Sequence, residues 1–302
     1  MPTFLSNSAL AIIFTSVLTS VFSVSAVAQQ IGPPKSVVLN GDINTPTLVQ
    51  DPNERFEEQQ IIMKNNHPDE RPNYATEIAC FLPPLAGLHV STVGVDALAA
   101  QAKASAEYRK ACDAIFDQKL DVAEKHLHKA LDKYPNYSAL WVLLGQVQER
   151  HEQLSPARES CLRAVKINST FVPAHLCLAD VAIHAQDWNE VLKESDLALT
   201  LDPSSSAVSY MFNAGANFNL RHFSAAEKSA LRASQFVGAY IDERQVHYLL
   251  AEIYEAKGDL VNEMAQLREF VKVAGDGKDA QIVKQYLAKL SATPQKPQPT
   301  TK

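Results

Sequence analysis

Small side chains recur along this chain at intervals close to 34 residues. Ala123, Ala157, Val191 and Ala226, with Glu263 closing the series, are 34, 34, 35 and 37 apart, and seven positions after each come Ala130, Ala164, Ala198, Ala233 and Phe270. Residues seven apart share a helix face, and small residues there let a second helix approach closely. A helix-turn-helix unit of this length cannot bury its apolar side alone, so it must stack on copies of itself. The expected product is an all-α solenoid of about five units whose concave side can hold another chain. That expectation favours interaction over catalysis.

The flanking segments read differently. Residues 1–28 carry no charged side chain, are mostly apolar from Ala9 through Val24, and end on Ala26-Val27-Ala28 before Gln29. This resembles a secretory signal peptide, whose cleavage needs small residues at both flanking positions. The segment lacks the usual basic residue near Met1, so an uncleaved membrane anchor is the alternative. Residues 29–98 form an acidic arm or linker, holding eight of the sixteen prolines and nine Asp or Glu against four Lys or Arg. Within it, residues 53–65 predict a short helix, and residues 79–95 are apolar enough to lie on the first unit as an ordered strap. Residues 99–290 are the repeat domain, and residues 291–302 a polar, proline-rich disordered tail.

Outside the arm, acids and bases nearly balance, 25 against 24. No basic stripe is available for a phosphate backbone, which excludes nucleic acid as a partner. A membrane enters only if the N-terminal segment stays uncleaved. Cys80, Cys112, Cys161 and Cys177 show no zinc or redox spacing. Cys161 and Cys177 fall on the second helix of one unit and the first of the next, where a bridge is sterically conceivable; the other reading is four small buried residues.

The clearest unit runs Trp141-x-x-Leu144-Gly145, then Gln148, Ala157, Cys161 and Ala164. It resembles the tetratricopeptide repeat, with Gln148 and Cys161 where that pattern has aromatics. The resemblance covers roughly 190 residues and implies a right-handed solenoid. Unit one, about 104–137, keeps Ala123, Leu127, Ala130 and Pro135. Unit three, about 172–205, has His175, Leu178, Ala179, Val191, Ala198 and Pro203; unit four, about 207–241, has Tyr210, Ala214, Ala226, Ala230 and Ala233. Unit five, about 244–275, has His247, Leu250, Ala251, Tyr254, Gly258, Leu267 and Phe270. Pro135 and Pro203 stop second helices, with Ser169 at the same place in unit two. Residues 280–290 (AQIVKQYLAKL) predict a capping helix, since the last unit otherwise leaves its apolar face in water.

In that family ligands lie along the first helices. The corresponding stripe here is Tyr108, Cys112, Ile115, Val142, Gln146, Glu149, Leu176, Asp180, Ile183, Met211, Gly215, Phe218, Tyr248, Glu252 and Glu255. Within it, Tyr108, Gln146, Glu149, Leu176, Asp180, Met211, Phe218, Tyr248 and Glu252 are the candidate groove residues. Its charged members are all carboxylates, which predicts an open groove for an apolar, neutral to basic peptide or protein. The Lys, Arg and Asn set with which chaperone-binding relatives grip a C-terminal carboxylate is missing from the stripe.

Nothing points to chemistry. The nine histidines are scattered, and His126 and His128 point to different faces of a helix. Residues 275–279 lack both the alternating carboxylates of a calcium loop and the Gly-Lys-Ser/Thr of a phosphate loop, and read as a turn. No Gly-x-Ser-x-Gly motif or nucleotide-binding strand-turn-helix occurs. The expectation is an exported, non-enzymatic binding scaffold, periplasmic or secreted, without cofactor or metal. The alternative is a structural subunit of a larger envelope assembly with no peptide in its groove.

Overall fold

The computed structural model describes residues 80–82, 85, 102–203, 207–236 and 242–292. The expected signal segment, the helix expected at 53–65, nearly all of the expected arm and the expected tail beyond 292 lie outside them; residues 291–292, assigned to the tail by the sequence, are the end of the last helix. Eleven α-helices and one short 3-10 turn make up the described part, without a strand. They pair into five hairpins: α1 (Ala102–Phe116) with α2 (Leu120–Lys133), α3 (Ser138–Arg150) with α4 (Leu154–Ile167), α5 (Val172–His184) with α6 (Trp188–Leu201), α7 (Ala207–Asn219) with α8 (Phe223–Ala233), and α9 (Glu243–Lys257) with α10 (Leu260–Ala274). The eleventh helix, α11 (Lys278–Ala292), caps the stack.

The recurring small residues do what their spacing predicts. Ala123, Ala157, Val191, Ala226, Ala130, Ala164, Ala198 and Ala233 are all fully buried. In α4 the buried set is Ala157, Ser160, Cys161 and Ala164, a single stripe at helical spacing. The first helices differ: α3 and α5 are buried almost throughout. Each lies between second helices, and successive first helices also touch, α3 with α5 and α7 with α9. The first helices therefore line the inner side of the stack.

Every hairpin turns in the same way. Gln118, Glu152, Gln186, Arg221 and Gly258 occupy one place in the five units, and all have φ between 57° and 72°. The residue's own N–H bonds a carbonyl three back, and the next residue's N–H one five back: Gln186 to Ile183 and Asp187 to Ala182, both at 2.9 Å. This double closure ends the first helix. The following residue starts the second helix, and Asp187 and Asp259 cap it with their own carboxylates. Only one of the five left-handed positions is glycine. Converting Gln118, Glu152, Gln186 and Arg221 together to glycine should add about 2 kcal/mol, the left-handed strain outweighing the entropy glycine brings. The urea midpoint should rise with its slope unchanged; an unmoved midpoint would mean that these turns store no strain.

A second regularity joins neighbours. Trp141 Nε1 donates to Pro135 O at 2.7 Å, His175 Nε2 to Ser169 O at 3.0 Å, and the Tyr210 hydroxyl to Pro203 O at 3.1 Å. The residues that stop the second helices thus offer carbonyls to the next unit. At the C-terminal end, Tyr248, Ala251, Leu267, Phe270 and Val283 form a smaller core under α11, flanked by Ile282, Tyr286, Leu287 and Leu290. Glu263 fills a small-residue place because α11 receives it: the Tyr286 hydroxyl donates to Glu263 Oε1 at 3.0 Å.

Candidate functional site

The nine candidate groove residues share the inner side but do not form an open lining. Tyr108, Gln146, Glu149, Leu176, Asp180, Met211, Tyr248 and Glu252 are buried, and only Phe218 is half-buried. The expected open groove is corrected accordingly. First helices pack against one another at α3–α5 and at α7–α9. Half-buried positions recur at the last turn of each first helix: Phe116, Arg150, His184, Phe218, Asn219 and Glu255.

On units one and two the face is covered by the chain itself. Cys80, Phe81, Leu82 and Leu85 are buried in the main core, as the apolar run predicts; the rest of the expected strap, residues 86–95, lies outside the described residues. Cys80 is bonded to Cys112 of α1. Gln146 of α3 donates from Nε2 to Leu82 O at 2.8 Å and accepts at Oε1 from Leu82 N at 3.1 Å. A second disulfide, Cys161–Cys177, joins α4 to α5. All four cysteines are paired.

The acidic residues are less negative than their number implies. Burial, and then the neighbouring Glu149 carboxylate, push the Asp180 carboxyl up to about 7. Glu149 itself is held low despite burial, by His184 at 2.5 Å and by Arg150. Burial alone would lower His184; its bond to Glu149 outweighs this and raises it. In unit five, burial and then Glu255 drive Glu252 far above the carboxylate range, and burial and then Glu263 push Glu255 up to about 7. No well-formed hydrogen bond reaches the buried Glu252 oxygens among the described residues. Burial thus weakens the negative charge of Asp180 and Glu252, while Glu149 stays ionised in its bond to His184.

The same shifts fix a pH dependence. Asp180 and Glu255 keep their protons to about 7 when folded but lose them near 3.8 and 4.5 when unfolded, so their stabilisation is lost as pH rises across that window. His184 and His175, raised above 6.5 by Glu149 and Glu194, act in the same direction above it. The lowered carboxyls Glu107, Glu149 and Glu194 act only below the ordinary carboxylate range. The melting temperature should therefore fall between about pH 5 and about pH 8, less so in Asp180→Asn. A rising melting temperature in calorimetry over that range would contradict it.

Two signals were missed in the sequence. Glu107 with His126, His175 with Glu194, and His247 with Gln266 pair first to second helix at a constant separation of 19, at 2.7, 2.8 and 2.8 Å. The half-buried last-turn residues recur at the unit spacing and could have been found that way. The Cys80–Cys112 pairing has no such signal. Among the described residues, no group of three or more His, Cys, Asp and Glu side chains converges as a metal site would. None of the described helices is long and apolar enough to cross a membrane.

The tetratricopeptide repeat model matches residues 108–170. No curated protein matches the chain by sequence. Among solved structures, the chain is similar to PilW, a widely conserved type IV pilus biogenesis factor, with a TM-score of 0.56 and 16% identity over 64% of this chain and 87% of that one. It is also similar to a tetratricopeptide repeat protein of Parabacteroides merdae, with a TM-score of 0.53 and 15% identity over 63% and 74%. PilF of Pseudomonas aeruginosa gives 0.52 and 13% over 62% and 82%. At these identities the likeness is one of fold.

Proposed function

Because the chain is a tetratricopeptide-repeat protein, we propose that it is a non-catalytic scaffold that binds another protein or peptide outside the cytoplasm. The observation that carries this reading is the strap: the inner face already grips one stretch of polypeptide through main-chain hydrogen bonds from Gln146. A surface that holds main chain is suited to extended peptides of varied sequence. The partner's share of the face is units three to five, reached at His184, Phe218, Asn219 and Glu255. With Glu252 held far above the carboxylate range and Glu149 paired with His184, an apolar segment fits this surface best.

Two observations support action in the cell envelope or beyond it. The apolar N-terminal segment ends in Ala26-Val27-Ala28, the arrangement of an exported precursor. Both disulfides belong to an oxidising compartment, since cytosolic thiols are kept reduced.

The test places a photo-activated cross-linking residue at Phe218, on the inner side, and separately at the exposed Leu162 on α4, in the native envelope fraction. Discrete adducts from Phe218 and none from Leu162 are expected. Adducts from Leu162 alone would move the function to the outer face and end this reading.

A further inference from the structure

Cys112 and Gln146 are 34 residues apart, at the same place in units one and two, and both engage the strap. They begin a series that continues with Asp180, Gly215 and Glu252. The strap thus runs along the inner face from one unit to the next, following the track expected of a ligand.

Its anchoring is that of a bound peptide. One Gln146 amide satisfies both main-chain groups of Leu82, a pairing indifferent to the Leu82 side chain. These are the only hydrogen bonds of the Gln146 side chain among the described residues. Leu82 and Leu85 supply the apolar part at 1% and 0% exposure, held by a turn in which Leu85 N donates to Leu82 O at 2.9 Å. Were the strap to leave, the buried Gln146 amide would lose both partners, so the empty site would favour a replacement that offers a main-chain N–H and C=O from one residue.

We propose that Cys80, Phe81, Leu82 and Leu85 belong to a tethered occupant of a peptide site on units one and two, a site that accepts a turned apolar segment with two leucine-like side chains three apart. The proposal rests on reading the inner face as a binding surface. Covalent attachment through Cys80–Cys112 keeps the occupant at a high effective concentration, so a free competitor is shut out while the tether holds. In the oxidised protein, partners are confined to units three to five.

The test uses the full chain carrying Cys80→Ser, Cys112→Ser, Leu82→Asp and Leu85→Asp, which expels the strap by charge. A fluorescent peptide of residues 78–88, with serine for Cys80, is titrated by anisotropy. It should bind this variant on the order of a hundredfold more tightly than it binds the wild-type chain, and addition of Gln146→Ala should abolish the binding. No binding by a variant that melts cooperatively, or equal binding by the wild type, overturns the proposal. Should that variant fail to fold, hydrogen exchange on the Cys80→Ser, Cys112→Ser chain decides. Exchange in the strap about tenfold faster than in the wild type, with α1 and α2 unchanged, is expected. Joint loss of protection in the strap, α1 and α2 would make the strap plain core. Adducts at Phe218 test the scaffold reading separately, whichever way these results fall.

Discussion

Gly145→Val should destabilise the protein by roughly 3 kcal/mol, the upper range for overpacking a core. In a repeat domain of this size that is a fall of about 10 °C in melting temperature. A side chain begun at Gly145 would place its Cβ 2.8 Å from Cys161 Sγ, 3.0 Å from Cys177 Sγ and 3.2 Å from Ala157 O. The two sulfurs are bonded to each other, so neither can swing aside, and the third neighbour is backbone. Glycine within a helix otherwise costs about 1 kcal/mol relative to alanine; here the close approach of α3 to α4 and α5 requires it. If the valine chain melts within about 2 °C of the wild type, the close-packing account is wrong.

Removing the neighbouring bridge, by Cys161→Ala with Cys177→Ala, should cost a similar amount. The bridge closes a loop with a separation of 16 residues, for which the chain-entropy gain is about 3 kcal/mol. The two changes are coupled, because alanine at both places withdraws the sulfurs that obstruct Gly145. Gly145→Ala should therefore be harmful in the oxidised wild type and nearly harmless in the alanine pair, a difference that a double-mutant cycle in urea measures directly. Additive costs would show that the sulfurs are not what confines Gly145.

The hairpins were legible because their packing is carried by residue size, which recurs visibly in Ala123, Ala157 and Ala226. Even the exception at Glu263 has a local cause in Tyr286. The turns are not legible in the same way, since Gln118, Glu152, Gln186 and Arg221 share a backbone conformation with Gly258 but no chemistry. The resemblance directed attention to the side of each first helix that carries Tyr108, Gln146, Asp180 and Tyr248, all of them buried. It could not tell that neighbouring helices and a strap without helical period would cover that side. The Cys161–Cys177 bridge was conceivable because the repeat itself sets those helices side by side. Cys80 lies outside the repeat, so no periodicity locates its partner.

The two disulfides divide the stack unequally. One sews the strap to α1 and the other sews α4 to α5, whereas units four and five and α11 carry no cysteine. A linear stack opens from its ends inward, each unit held only by its neighbours. Here one end is stitched and the other can peel, so a protease or a mechanical pull should strip the molecule from α11 back toward the seam at Cys177 and halt there. On the scaffold reading, the unstitched second half is where curvature should adjust to a partner, while the first half keeps its shape.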